Sequence, residues 1–117
     1  MLYSEKEMEA VEKVVAVFRE YIKSNPCLDL VWSEKLGYIL IDVPEKRRGL
    51  ELCPFVVLDA ESLCDKLFYK VSNDVLDERA PWEANSLERA EMERRLAVYT
   101  EQLPEYEYLV PRQFEHK

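Results

Sequence analysis

An α+β fold is predicted for this chain: a three-stranded antiparallel sheet, a hairpin plus one strand, flanked by three helices in the order α-β-β-β-α-α. Three observations predict it. Residues 28–43 alternate side-chain character with period two around a break containing Gly37. Residues 50–58 form a further apolar run of strand length. On either side, apolar residues recur every three or four positions, the spacing of a helix buried along one stripe.

The first helix starts at Ser4. Ser4 is the N-cap, Glu7 three residues on completes a capping box, and Tyr3 with Met8 forms a hydrophobic staple. Val11, Val14, Val15, Phe18, Tyr21 and Ile22 make the buried stripe. Asn25-Pro26 ends the helix, because proline pushes the residue before it out of the α region.

The hairpin has two candidate registers. With Lys35-Leu36 as the loop, Trp32 faces Ile39, Leu30 faces Ile41 and Leu28 faces Val43. That gives a clean apolar face, and it sets Asp29 opposite Asp42, an unfavourable pair. With Lys35, Leu36 and Gly37 as the loop and Gly37 left-handed, the clash is removed and Leu30 meets Asp42. The first is preferred for its apolar face. Both leave Val31, Tyr38 and Leu40 on faces that a one-sided sheet exposes, while Trp32 is expected in the core.

A loop at 44–49 carries Lys46, Arg47 and Arg48, and the third strand follows at 50–58. Pro54 confines that strand to an edge or a bulge. Cys53, Phe55 and Val57 point one way and Leu52, Val56 and Leu58 the other, so its end reads as buried on both faces. Asp59 caps the second helix, with Leu58 and Leu63 as its staple and Leu63, Cys64, Leu67, Phe68, Val71 and Val75 as its stripe. It ends near Asp77, Glu78 and Arg79. Trp82 plugs the connection. The third helix begins at Asn85 or Ser86, carries a narrow stripe of Met92, Leu96, Tyr99 and Leu103, and closes at Pro104. Arg89 with Glu93 and Glu91 with Arg95 are four-residue charge pairs on its surface. Residues 105–117 read as an extended tail. In it Tyr106, Tyr108 and Val110 alternate as a candidate C-terminal edge strand.

At 117 residues, a single domain spanning 1–117 is expected. The formal charge of −8 argues against direct nucleic-acid binding and against docking on anionic lipid. No apolar run approaches the ~20 residues of a membrane span. Residues 1–5 do not read as a signal peptide. Cys27, Cys53 and Cys64 show no metal or redox spacing and read as small hydrophobes in a reducing compartment. A cytoplasmic location is expected.

Chemistry-bearing motifs are sparse. The one histidine, His116, is second from the end, so histidine-based nucleophile systems and histidine-dependent zinc sites are not expected. Two glycines, Gly37 and Gly49, are too few for a phosphate-cradling loop. No catalytic residue, metal site or cofactor is predicted. The 24 carboxylates include same-face pairs such as Glu88 with Glu91 and Asp74 with Glu78, which read first as solvated charge. Lys46, Arg47 and Arg48 are a candidate anion-binding cluster.

The function expected on these grounds is a small non-enzymatic protein-binding or assembly domain, self-associating as a homodimer. Its interface would be Val31, Tyr38, Leu40, Tyr106 and Tyr108, apolar surface in excess of obvious cover. Two other classes stay open. One is an acidic inhibitor or nucleic-acid mimic that blocks a basic partner. The other is an enzyme using carboxylates and a divalent metal.

Overall fold

A computed structural model describes residues 3–42, 53–77 and 79–115. The elements are α1 (Glu5–Ser24), β1 (Leu28–Ser33), β2 (Gly37–Asp42), β3 (Cys53–Val56), α2 (Ala60–Leu76), α3 (Ser86–Thr100) and α4 (Leu109–Arg112), with single 3-10 turns at Pro81–Glu83 and Pro104–Tyr106. The sheet is antiparallel with strand order β1-β2-β3, so the fold is α+β. The chain forms two compact units, Met1–Leu63 and Cys64–Lys117, whose boundary falls inside α2.

In the first unit, Ser4 caps α1 by accepting from the Glu7 N–H at 3.1 Å. The Glu7 carboxylate does not close the capping box among the described residues. It accepts from the Ala60 N–H at 2.6 Å instead, so an α1 side chain satisfies one of the four orphan donors at the α2 N-terminus. Asp59 accepts from the Ser62 N–H at 2.7 Å and is the α2 N-cap. Val11, Val14, Val15, Phe18 and Ile22 are buried, as the helical spacing predicts. Leu58 is 64% exposed and is no staple, whereas Val57 beside it is fully buried.

The hairpin adopts neither predicted register. Its loop is Glu34, Lys35 and Leu36, and the pairs are Leu28↔Asp42, Leu30↔Leu40, Val31↔Ile39 and Trp32↔Tyr38. Gly37 opens β2 at φ +76°, a left-handed conformation that favours glycine. This register separates Asp29 from Asp42 and also spares Leu30 from facing Asp42. It differs by one residue from the preferred register, and a one-residue slip sends the facing side chains to opposite sides of the sheet. Leu28, Leu30, Trp32, Tyr38 and Leu40 therefore share the α1 face, and Val31, Ile39, Ile41 and Val56 share the other.

Tyr3 locks the far end of the β2–β3 ladder. Val57 donates its N–H to the Tyr38 carbonyl at 2.9 Å. The reciprocal bond runs through the Tyr3 hydroxyl, which accepts from the Tyr38 N–H at 3.1 Å and donates to the Val57 carbonyl. Tyr3 is thus 5% exposed with its polar tip satisfied, as a buried phenol requires.

In the second unit, α2 ends at Leu76, and Asp77 follows at φ +48° as the left-handed residue that closes many helices. Leu76 is 1% exposed and extends the predicted stripe by a position. Asn85 and Glu88 form a full capping box on α3, which ends at Thr100, four residues before Pro104. The tail is helical and contains no edge strand among the described residues. Leu109 and Gln113 are its buried positions, four residues apart as one turn of a helix places them. Pro111 is tolerated in α4 because the first turn of a helix needs no N–H there. Gln113 donates to Asp65 on α2 at 2.7 Å, and the Arg89 guanidinium of α3 lies 4.3 Å from the centre of the Phe114 ring.

Candidate functional site

Of the sequence-predicted interface residues in the first unit, Val31 lies on the face of the sheet opposite Tyr38 and Leu40. Leu40 is 1% exposed and lies inside the first unit, so it is no surface residue. Tyr38 is half-buried against α1, where its hydroxyl donates to Glu12 at 2.9 Å. Val31 is half-buried on the opposite face of the sheet. Tyr106 is half-buried, and Tyr108 is 48% exposed on a helical turn. Trp32, expected in the core, is 42% exposed at the edge of the α1 face, 4.9 Å edge-to-face from Tyr38. Lys46, Arg47, Arg48, Val43 and His116 lie outside the described residues.

The candidate carboxylate pairs are already engaged or lie in part outside the described residues. Glu88 makes a two-pronged ion pair with Arg79. Glu91 accepts from Arg94 at 2.5 Å and from Arg95 at 2.9 Å, and those bonds hold its carboxyl down at about 2. Glu78, partner of Asp74 in the other pair, is not among the described residues. Among the described residues no group of three His, Cys, Asp or Glu is placed to hold a metal ion, and no helix is long and apolar enough to cross a membrane.

No disulfide links the cysteines. Cys64 is fully buried, and burial, reinforced by the Asp65 and Glu105 carboxylates, pushes its thiol up to about 12. Cys53 is exposed. With a coloured disulfide reagent at pH 8, Cys53 is expected to react within the mixing phase and Cys64 only after denaturant is added. A Cys64 that reacts at the rate of Cys53 in native buffer would contradict that burial.

What the first unit does offer is an unequal pair of sheet edges. The Val57–Tyr38 bond sets the phase of the ladder, because backbone groups alternate in direction along a strand. Residues 38, 40 and 42 of β2 bond toward β3, and 37, 39 and 41 bond toward β1. On β3, Pro54 therefore sits where an N–H would point outward, which blunts that edge. On β1 the outward groups belong to Leu28, Leu30 and Trp32. Asn25 takes the Leu28 N–H at 3.2 Å, but among the described residues the Leu30 and Trp32 N–H groups and carbonyls have no partner.

A groove runs beside that open edge. It encloses about 500 Å3 and is lined by Val15, Arg19, Ile22 and Lys23 of α1, Leu28, Asp29 and Leu30 of β1, and Tyr38 of β2. Val15, Ile22, Leu28 and Leu30 are its aliphatic lining residues. Arg19 and Lys23, four residues apart on one helix face, flank it. Neither makes an ion pair or hydrogen bond among the described residues, and with Asp29 the lining carries a net charge of +1 on a chain of −8. Burial, then the bond to Glu12, pushes the Tyr38 hydroxyl up to about 12.

That shift has a sign. The folded state holds the Tyr38 proton above the ordinary value of 10.0, so its contribution to stability is complete below pH 10 and is lost as the pH rises toward 12. The urea midpoint of the first unit, followed by Trp32 fluorescence with Trp82→Phe, is expected to fall between pH 10 and 11.5. Tyr38→Phe is expected to flatten that fall.

The sequence pattern missed the groove for a physical reason. Arg19 and Lys23 look like an ordinary solvated helix face, and only the register places Leu28 and Leu30 beneath them. The legible signal for the edge asymmetry was Pro54. No protein-family model, curated protein or solved structure matches the chain.

Proposed function

We propose that this chain is a non-enzymatic protein-binding and assembly domain that accepts a strand from a second polypeptide along the outer edge of β1. The observation that carries the reading is the asymmetry of the sheet: β3 is blunted by Pro54, while β1 leaves the Leu30 and Trp32 backbone groups facing outward. An unpaired strand edge is a template for another chain, and main-chain hydrogen bonds supply the affinity in such additions. Three thiols without a disulfide fit a reducing compartment such as the cytoplasm.

Amide hydrogen exchange resolved by NMR tests this. In the free chain the Val31 amide, bonded to β2, is expected to exchange slowly, and the Leu30 and Trp32 amides quickly. A capped eight-residue peptide alternating valine and threonine, at millimolar concentration, is expected to slow Leu30 and Trp32. N-methylating alternate peptide amides is expected to abolish that protection in one phase and spare it in the other. Protection that rises with protein concentration alone identifies a second copy as the strand donor. If both amides stay fast at every concentration and with every peptide, the edge is not a binding site.

A further inference from the structure

We infer that the strand this edge takes is an extended segment alternating acidic and apolar residues, with its carboxylates read by Arg19 and Lys23. The inference rests on the strand-addition reading and names its partner. A strand added to β1 sends alternate side chains to the two faces of the sheet. On the α1 face those side chains enter the groove, where the Arg19 guanidinium and the Lys23 ammonium make no ion pair among the described residues and outnumber the single Asp29 carboxylate of the lining. A glutamate there lays its methylenes over Val15, Ile22, Leu28 and Leu30 and presents its carboxylate to both cations. Charge-assisted bonds of that kind are the strong ones, and a guanidinium matches a carboxylate in geometry as well as charge. On the opposite face the added side chains lie beside Asp29, Val31 and Ser33 of β1, and an apolar residue there meets Val31 at the edge of the row that runs on through Ile39 and Val56.

A second folded copy fits this edge poorly. Paired strands lie about 4.8 Å apart, whereas packed helices need roughly 8–10 Å between axes. Because α1 and β1 line the same groove, two copies joined through β1 would bring their α1 helices toward each other across the joined edge. Their four cations would also converge. A bare extended segment meets neither obstacle.

The test uses three capped eight-residue peptides, alternating valine with glutamate, threonine or lysine, titrated into the full chain by calorimetry. The valine–glutamate peptide is expected to bind at least tenfold more tightly than the other two. Arg19→Glu and Lys23→Glu change exposed side chains and are expected to leave the melting temperature unchanged. Each is expected to erase the preference for glutamate, and together they are expected to transfer it to the lysine peptide. Equal affinity for all three peptides, with the N-methyl phase effect intact, leaves strand addition standing and overturns the acidic specificity. The acidic specificity is overturned equally if the charge reversals leave the preference unmoved, or if the chain dimerises through the edge and no peptide displaces the dimer. If no peptide binds and the Leu30 and Trp32 amides never slow, the broader reading falls with it.

Discussion

Gly37→Ala is expected to cost the first unit about 3 kcal/mol, the sum of a left-handed residue with a side chain and the loss of buried hydrogen bonds. The position is constrained twice. Its φ of +76° is strained for any residue with a Cβ. A Cβ built there meets Cε2, Cζ and Oη of Tyr3 at 2.7 Å, closer than real contacts allow. The ring has to move, and its hydroxyl is the bridge between the Tyr38 N–H and the Val57 carbonyl. Moving it leaves a donor and an acceptor unsatisfied at the point where β2 and β3 join.

A double-mutant cycle separates the two constraints. Tyr3→Ala removes the ring that collides, so in that background Gly37→Ala is expected to cost only the backbone share, roughly 1–2 kcal/mol. The measurement is urea unfolding followed by Trp32 fluorescence with Trp82→Phe, at constant slope so that midpoints report stability. Equal costs in both backgrounds would mean that Tyr3 does not seal the turn.

The same residues show where the sequence was legible. Ser4, Asn25, Asp59 and Asn85 mark helix boundaries that depend on local chemistry, and all four stand within a residue of where spacing and capping put them. The capping partner of Glu7 was not local. Its carboxylate reaches Ala60, a relation of 53 positions that no four-residue pattern encodes. The hairpin register failed for a related reason. Alternation is nearly as good in three adjacent registers, because Val31, Tyr38 and Leu40 are apolar too. What selects among them is the left-handed residue at Gly37 and the distant Tyr3 ring above it. A single slip then exchanged the faces, moving Tyr38 and Leu40 from expected surface to the α1 side. The candidate site inherited this error. Pro54 correctly marked one edge as blunt, but β1 as the open edge and its cationic groove follow only once the register is known.

The second large effect lies in the tail. Leu109→Ala is expected to destabilise the second unit by about 3 kcal/mol, in the range for truncating a buried leucine. Tyr108→Ala next to it is expected to change stability by less than about 0.5 kcal/mol, as exposed positions usually do. Leu109 is 1% exposed and Tyr108 48% exposed. Read as a strand, the tail groups Tyr106, Tyr108 and Val110 on one side and leaves Leu109 on the other. Read as helical turns, Leu109 and Gln113, one turn apart, come inward together, with the Gln113 amide tied to Asp65 and Phe114 beneath Arg89. Urea unfolding monitored at Trp82, with Trp32→Phe, tests which side of the tail packs inward. A large loss at Leu109 and little at Tyr108 places Leu109 in the core. The reverse order would put the side of Tyr106, Tyr108 and Val110 there instead. Because Tyr108 faces solvent while Leu109 and Gln113 are buried, the tail contributes to the core of the second unit instead of presenting an apolar strand face to solvent.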